Sequence, residues 1–294
     1  MSRIIPVPPT LDDGAFEQLV SAAADANGER AILDARWLRW ADPYGMIGLL
    51  AVGETLRAGG TPAVLQLPEN PEVASYLRRM GLLEAAAELF EMHPEPRSRP
   101  RTEDSSVLLE ITPIASNDDV IGVIDTLPDR AERILTEQLG YGRLAGGQFS
   151  ILLSEVCQNI TEHAEAPGWV GIQSYNWAKR LGRHVVVIAV MDLGVGFQGS
   201  LAREHAARYG ERWGDAAALE SAFIHGVTRF RDPGRGQGLK NIRKTVGKWG
   251  GKIAIRSGGA RIADVPEWDD APPLETGLTP FPGAQILIVL QGIQ

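Results

Sequence analysis

HVVVIAVMDLGVGF, residues 184–197, runs from His184 to Met191 almost without a polar side chain and then stops on Asp192. The enrichment in valine and isoleucine reads as a buried strand. An aspartate at the end of such a strand is costly unless a partner compensates it. Gly194 and Gly196 follow, and residues without a Cβ let the backbone approach a ligand closely and hinge the next segment. This combination suits a purine, with the Asp192 carboxylate accepting from an exocyclic amino group and the glycines leaving room for the ring. By itself, however, DLGVGF reads first as a tight turn between two strands.

Upstream, SEVCQNITEHAE at residues 154–165 sets Glu155, Asn159 and His163 four residues apart. At 3.6 residues per turn such positions advance only about 40° around the axis, so the three form a slowly winding polar row. It borders the apolar stripe of Leu152, Val156 and Ile160. Spacing alone describes a solvated helix edge equally well. Downstream, DPGRGQGLKNIRK at residues 232–244 places Gly234, Gly236 and Gly238 ahead of an amphipathic helix. Bare backbone entering a helix N-terminus offers converging N–H groups and a positive dipole end, a site for phosphate. The spacing is not that of a dinucleotide fingerprint, and no GxxxxGK[ST] loop occurs.

In this order, an ExxxN helix, a strand ending in DxGxG and a glycine triplet opening a helix resemble the N, G1 and G2 boxes of the GHKL superfamily of ATP-binding domains. The resemblance covers residues 105–294. SILLSEVCQNITEHA is most similar to the anti-sigma-factor serine kinases, and ALESAFIHGVTRFRDPGRGQGL resembles the lid of kinase-type members. The resemblance implies ATP and Mg²⁺ as cofactors, Asn159 as the metal ligand and Glu155 as the general base. It assigns Asp192 to the adenine amino group, Gly194 and Gly196 to the pocket, and Gly234, Gly236, Gly238 and Leu239 to the phosphates. Arg235, with Arg229 and Arg231, is a candidate for the γ-phosphate, although a solvated loop accounts for these arginines as well. Where the family carries a Gly-Thr pair on the last strand, this chain has Gly283 and Ala284 and lacks the hydroxyl. His163 reads as a packed helix-end histidine or a ligand, and His93, His184, His205 and His225 are too scattered to make a zinc site with it.

The N-terminal part has a resemblance of its own. AILDARWLRWADPYGMIGLLAVGETLRAGGTPAVLQL with VASYLRRMGLLEAA is similar to a STAS domain. The family's phosphoacceptor loop reads Asp42, Pro43, Tyr44, Gly45 here and has no serine, so phosphorylation there is not expected; Asp42 and Pro43 suit an ordinary helix start. The expected fold class is α/β, with a small STAS-like domain over residues 1–92, a linker over 93–104, and an α+β sandwich of the GHKL type over 105–294. EMHPEPRSRPRTEDSS, residues 91–106, supplies the linker composition. The proline- and glycine-rich stretch 258–283 reads as an irregular excursion between two closing strands.

Composition limits the function classes. Hydrophobic residues at 44% and charged residues at 22% are ordinary for a globular chain, which argues against general disorder. A net charge of −8 disfavours non-specific nucleic-acid binding. The single cysteine, Cys157, cannot form an intrachain disulfide. With no long apolar window and no signal-like N-terminus, a cytoplasmic location without a membrane partner is expected. The leading expectation is an anti-sigma-type serine/threonine kinase acting on a STAS-like protein partner, with a homodimer left open. The alternative is a nucleotide-gated switch with slow or absent transfer, its own STAS-like domain serving as a pseudosubstrate. A strict histidine kinase fits less well, because His93 lies in the proline-rich linker.

Overall fold

Asp42 stops one segment of chain and starts the next: its Oδ1 accepts from the Gly45 N–H at 2.8 Å, and Pro43 takes the first helical position, where a missing N–H costs nothing. The computed structural model describes residues 2–26, 28–96, 108–164, 166–178, 181–229 and 238–293; the side chains of residues 128, 163, 164, 204, 208 and 209 lie outside that description. Contacts divide the chain into one unit of Met1–Thr112 with Gly171–Gln173 and a second of Pro113–Val170 with Ser174–Gln294. The protein is mixed α/β, with a parallel and an antiparallel sheet.

The first unit contains β1 (Ser2–Pro6), β2 (Thr10–Leu11), α1 (Asp13–Ala24), β3 (Arg30–Asp34), β4 (Trp40–Ala41), α2 (Pro43–Ala58), β5 (Ala63–Gln66), α3 (Pro71–Arg79), α4 (Leu82–Ala86) and β6 (Glu91–His93). Its sheet order is β1-β3-β5-β6, all parallel. Parallel neighbours need crossovers, and the helices between the strands supply them. α2 is buried from Pro43 to Gly53 without a break, as befits a helix apolar on every side. The two edge strands of this sheet, and the short β2 and β4, escaped the sequence reading. β1 tolerates Pro6 because it is an edge strand. β6 occupies the start of the proline-rich segment read as linker, and residues 97–107 of that segment lie outside the described residues.

Gly45 has a packing reason. A Cβ there would lie 2.1 Å from the Leu11 carbonyl oxygen, and Asp42 N–H donates to the same oxygen at 3.2 Å. β2 therefore runs directly over the start of α2. Tyr44, 3% exposed, packs edge-on against Phe16 at 5.5 Å between ring centroids.

The remaining elements are β7 (Leu109–Ile114), α5 (Asn117–Thr126), α6 (Pro128–Arg133), α7 (Ala145–Asn159), β8 (Gly168–Trp177), β9 (Arg183–Asp192), α8 (Gly196–Tyr209), α9 (Asp215–Phe223), α10 (Gly238–Lys248), β10 (Lys252–Asp264) and β11 (Leu274–Gln291). A π-helical turn, Ile160–Ala164, continues α7. The sheet order is β10-β11-β9-β8-β7, with β11 antiparallel to both β10 and β9. Its core is Val185–Met191, Ile286–Leu290, Ile253 and Ile255, with Phe149, Leu153, Val156 and Cys157 from α7.

The stretch 258–283 departs from expectation, since most of it is strand. Ser257 pairs with Ala284, Gly258 with Phe281 and Ala260 with Thr276, so β11 carries extra residues twice. Those bulges hold Pro280 and Pro282, which could not sit in a continuous ladder. Arg256, 1% exposed, fills the space: Nη1 donates to Gly258 O at 3.0 Å and Nη2 to Thr279 O at 2.6 Å, beneath the Phe281 ring. Asp215, opening α9, accepts from Gly259 N–H at 2.7 Å.

Two glycine substitutions separate packing from propensity. Gly45→Ala is expected to destabilise the chain by about 1–3 kcal/mol through overpacking on Leu11. Gly122→Ala, on an exposed face of α5 with nothing near its Cβ, is expected to stabilise by up to about 1 kcal/mol. Urea unfolding midpoints check both.

Candidate functional site

α7 brings Glu155 and Asn159 onto one side, one turn apart. Phe149, Leu152, Leu153 and Val156 bury the adjoining face. Among the described residues, Glu155 Oε2 and Asn159 Nδ2 are both shielded from solvent without a hydrogen-bond partner. Buried polar atoms are nearly always paired, and an orphan of this kind costs on the order of 1–3 kcal/mol. Two orphans on one helix face mark a place built for something other than stability.

Gly238, the first residue of α10, faces this carboxylate. A Cβ on Gly238 would stand 2.7 Å from Glu155 Oε2, so a larger residue here would displace the carboxylate. The positive end of α10 is thereby directed at a negative group. Leu239 follows on the same helix, whereas Arg231, Gly234, Arg235 and Gly236 lie outside the described residues.

The segments that carry Asn159 and Asp192 approach each other at a residue that the sequence reading passed over. The bare Cα of Gly168, opening β8, sits between the neighbours of both: a Cβ would lie 2.3 Å from Met191 O and 3.0 Å from Ile160 Cδ1. Thus the end of α7 and the end of β9 meet at one point. Arg229 donates through Nη2 to the Glu162 carbonyl in the π-helical turn, where helix-end carbonyls lack partners. Of His163 only the backbone is described, in that turn.

Asp192 is 6% exposed. Oδ1 accepts from Gly194 N–H at 2.9 Å and from Ala284 N–H at 3.3 Å. Among the described residues Oδ2 has no hydrogen-bond partner. Burial outweighs the two amide donors and pushes the carboxyl up to about 6. Behind it, Gln285 Nε2 donates to Pro282 O at 2.8 Å and lies 3.5 Å from Asp192 O. Gly196, at φ +63°, does not open onto free space: a Cβ there would meet Ser257 Oγ at 2.6 Å and Gly283 O at 2.9 Å. It shapes the site from behind. The hydroxyl missing at Ala284 stands on its cross-strand partner Ser257.

Among the described residues no group of three or more His, Cys, Asp or Glu could hold a metal by itself. A hard divalent cation here would take one amide oxygen from Asn159 and most of its shell from phosphates and water, as Mg²⁺ does. Cys157 is buried and its thiol is pushed up to about 12, so it is no nucleophile. Among the described residues no helix is long and apolar enough to cross a membrane. No protein-family model matches the chain, and no curated protein matches it significantly.

Asp192 yields a signed pH prediction. Its folded-state value is raised from 3.8 to about 6, so the fold favours the neutral form and loses stability as pH rises through 6. Asp192→Asn keeps an acceptor for both amides and does not titrate. Relative to wild type it is expected to gain about 1 kcal/mol more at pH 8 than at pH 5, read from unfolding midpoints at the two pH values.

Proposed function

We propose that this chain is an ATP- and Mg²⁺-binding regulatory protein whose second unit adopts the GHKL fold and whose first unit is a degenerate STAS domain. The observation that carries the reading is the physical joining of three separate motifs. Gly238 abuts Glu155, one helical turn from Asn159, and Gly168 ties the end of that helix to the strand ending in Asp192. Glu155 Oε2, an acceptor, and Asn159 Nδ2, a donor, are left without partners among the described residues, and a bound nucleotide with its phosphate oxygens and attacking hydroxyl would supply them.

In this reading Asp192 Oδ2 accepts from the adenine 6-amino group, and the N-terminus of α10 faces the phosphates. Asn159 contributes its amide oxygen to the Mg²⁺ that neutralises phosphate charge. Glu155, shielded from water and unpaired, holds the proton of the attacking hydroxyl as general base. Phosphoryl transfer depends mainly on such positioning and charge neutralisation. The activity this supports is an anti-sigma-type serine/threonine kinase acting on a separate STAS-like partner.

One observation favours the second reading, a nucleotide-gated switch. The first unit presents no acceptor at Asp42–Gly45, since Pro43, Tyr44 and Gly45 are all buried. Its role would then be to dock as a pseudosubstrate, with ATP shifting the equilibrium only if it binds the docked and free forms differently.

Calorimetric titration of the full chain with ATP, with and without Mg²⁺, tests the site. Asn159→Ala is expected to abolish the Mg²⁺-dependent part of the affinity; if that part survives unchanged, Asn159 is not in the site. Glu155→Ala is expected to leave ATP binding in place and slow phosphoryl transfer or hydrolysis by about 100-fold or more. Equal loss of binding and turnover would reduce Glu155 to a structural residue.

A further inference from the structure

We infer that Ser257 is the positioning residue for the Asp192 carboxylate and thereby sets the preference of the site for a 6-amino over a 6-oxo purine; this rests on the purine reading of Asp192 above. Ser257 lies on β10, is 2% exposed, and spends its hydroxyl in both directions. Oγ donates to Gly283 O at 2.8 Å and accepts from Phe197 N–H at 3.1 Å. Those two partners belong to the two segments that hold Asp192. The Oδ1 donors are Gly194, in the 192–197 segment, and Ala284, next to Gly283 on β11.

The four contacts close a ring: Asp192 Oδ1 to Ala284, Gly283 to Ser257, Ser257 to Phe197, and back along the chain through Gly194. The ring has no slack. Gly196 and Gly283 both have positive φ, +63° and +75°, and a Cβ on Gly283 would lie 2.0 Å from Asp192 O. With Oδ1 held on backbone amides, the direction of Oδ2 is fixed. A fixed carboxylate oxygen accepts from an amino group and meets a 6-oxo group with repulsion, so a rigid ring discriminates where a loose one would adapt. Ser257 touches no ligand; its effect passes through the carboxylate.

Titration of the full chain with Mg·ATP and with Mg·GTP, alongside thermal unfolding, tests the inference. Wild type is expected to bind ATP at least about 100-fold more tightly than GTP. Ser257→Ala is expected to weaken ATP by about tenfold, the scale of one lost buried hydrogen bond, while GTP affinity changes by less than about twofold. An unchanged ATP-to-GTP ratio, with both nucleotides weakened in step with the melting temperature, would overturn the positioning role and leave Ser257 merely structural. If Ser257→Ala does not fold, Ser257→Cys, similar in volume with a weaker donor, is expected to lower the ratio part of the way; a ratio equal to wild type overturns the inference. Binding of neither nucleotide by wild type would overturn the purine reading and this inference with it, whereas a preserved preference in both variants would overturn the inference alone.

Discussion

A carboxylate that must be desolvated at the end of a fully buried strand organises the second unit. Asp192 sits where β9 leaves the sheet, and burial pushes its carboxyl above the ordinary carboxylate range, to about 6. Two backbone amides, from Gly194 and Ala284, moderate that tendency without overcoming it. Much of what surrounds it then follows. β11 must bulge to bring Ala284 N–H to Oδ1. The bulges expose carbonyls that Arg256 satisfies, and they need the conformational freedom of Gly283. The arrangement trades stability for a charged acceptor held in a dry place, as expected of a ligand site rather than of a core.

Much of the architecture could be read from the chain. The apolar run 185–191, the closing run 286–290 and the periodic stripe of Leu152, Val156 and Ile160 announce their elements, because burial on a whole face or a whole strand leaves a continuous signal. The start of α2 was legible from Asp42 and Pro43 for the same local reason. β1 and β6 were not, since edge strands of three to five residues need only one apolar face. The hairpin at 258–283 was misread because prolines and glycines signal irregular chain locally, while their accommodation depends on a partner strand and on an arginine side chain distant from the bulged residues.

The candidate site divides in a similar way. Glu155, Asn159 and Asp192 were visible as types at suggestive spacings. The approach of Gly238 to Glu155, and of the end of α7 to the end of β9 at Gly168, was not, because it is made through what those glycines lack. Ser257 left a fainter trace, a hydroxyl on a strand just before paired glycines. Arg229, singled out by charge, donates to the Glu162 carbonyl, a contact that its charge alone does not announce.

The crossing of β2 over the start of α2 has a consequence for access. With Leu11 against Gly45 and the Tyr44 ring against Phe16, another molecule could reach this turn only after β2 had peeled away, so the turn is insulated from chemistry at the surface.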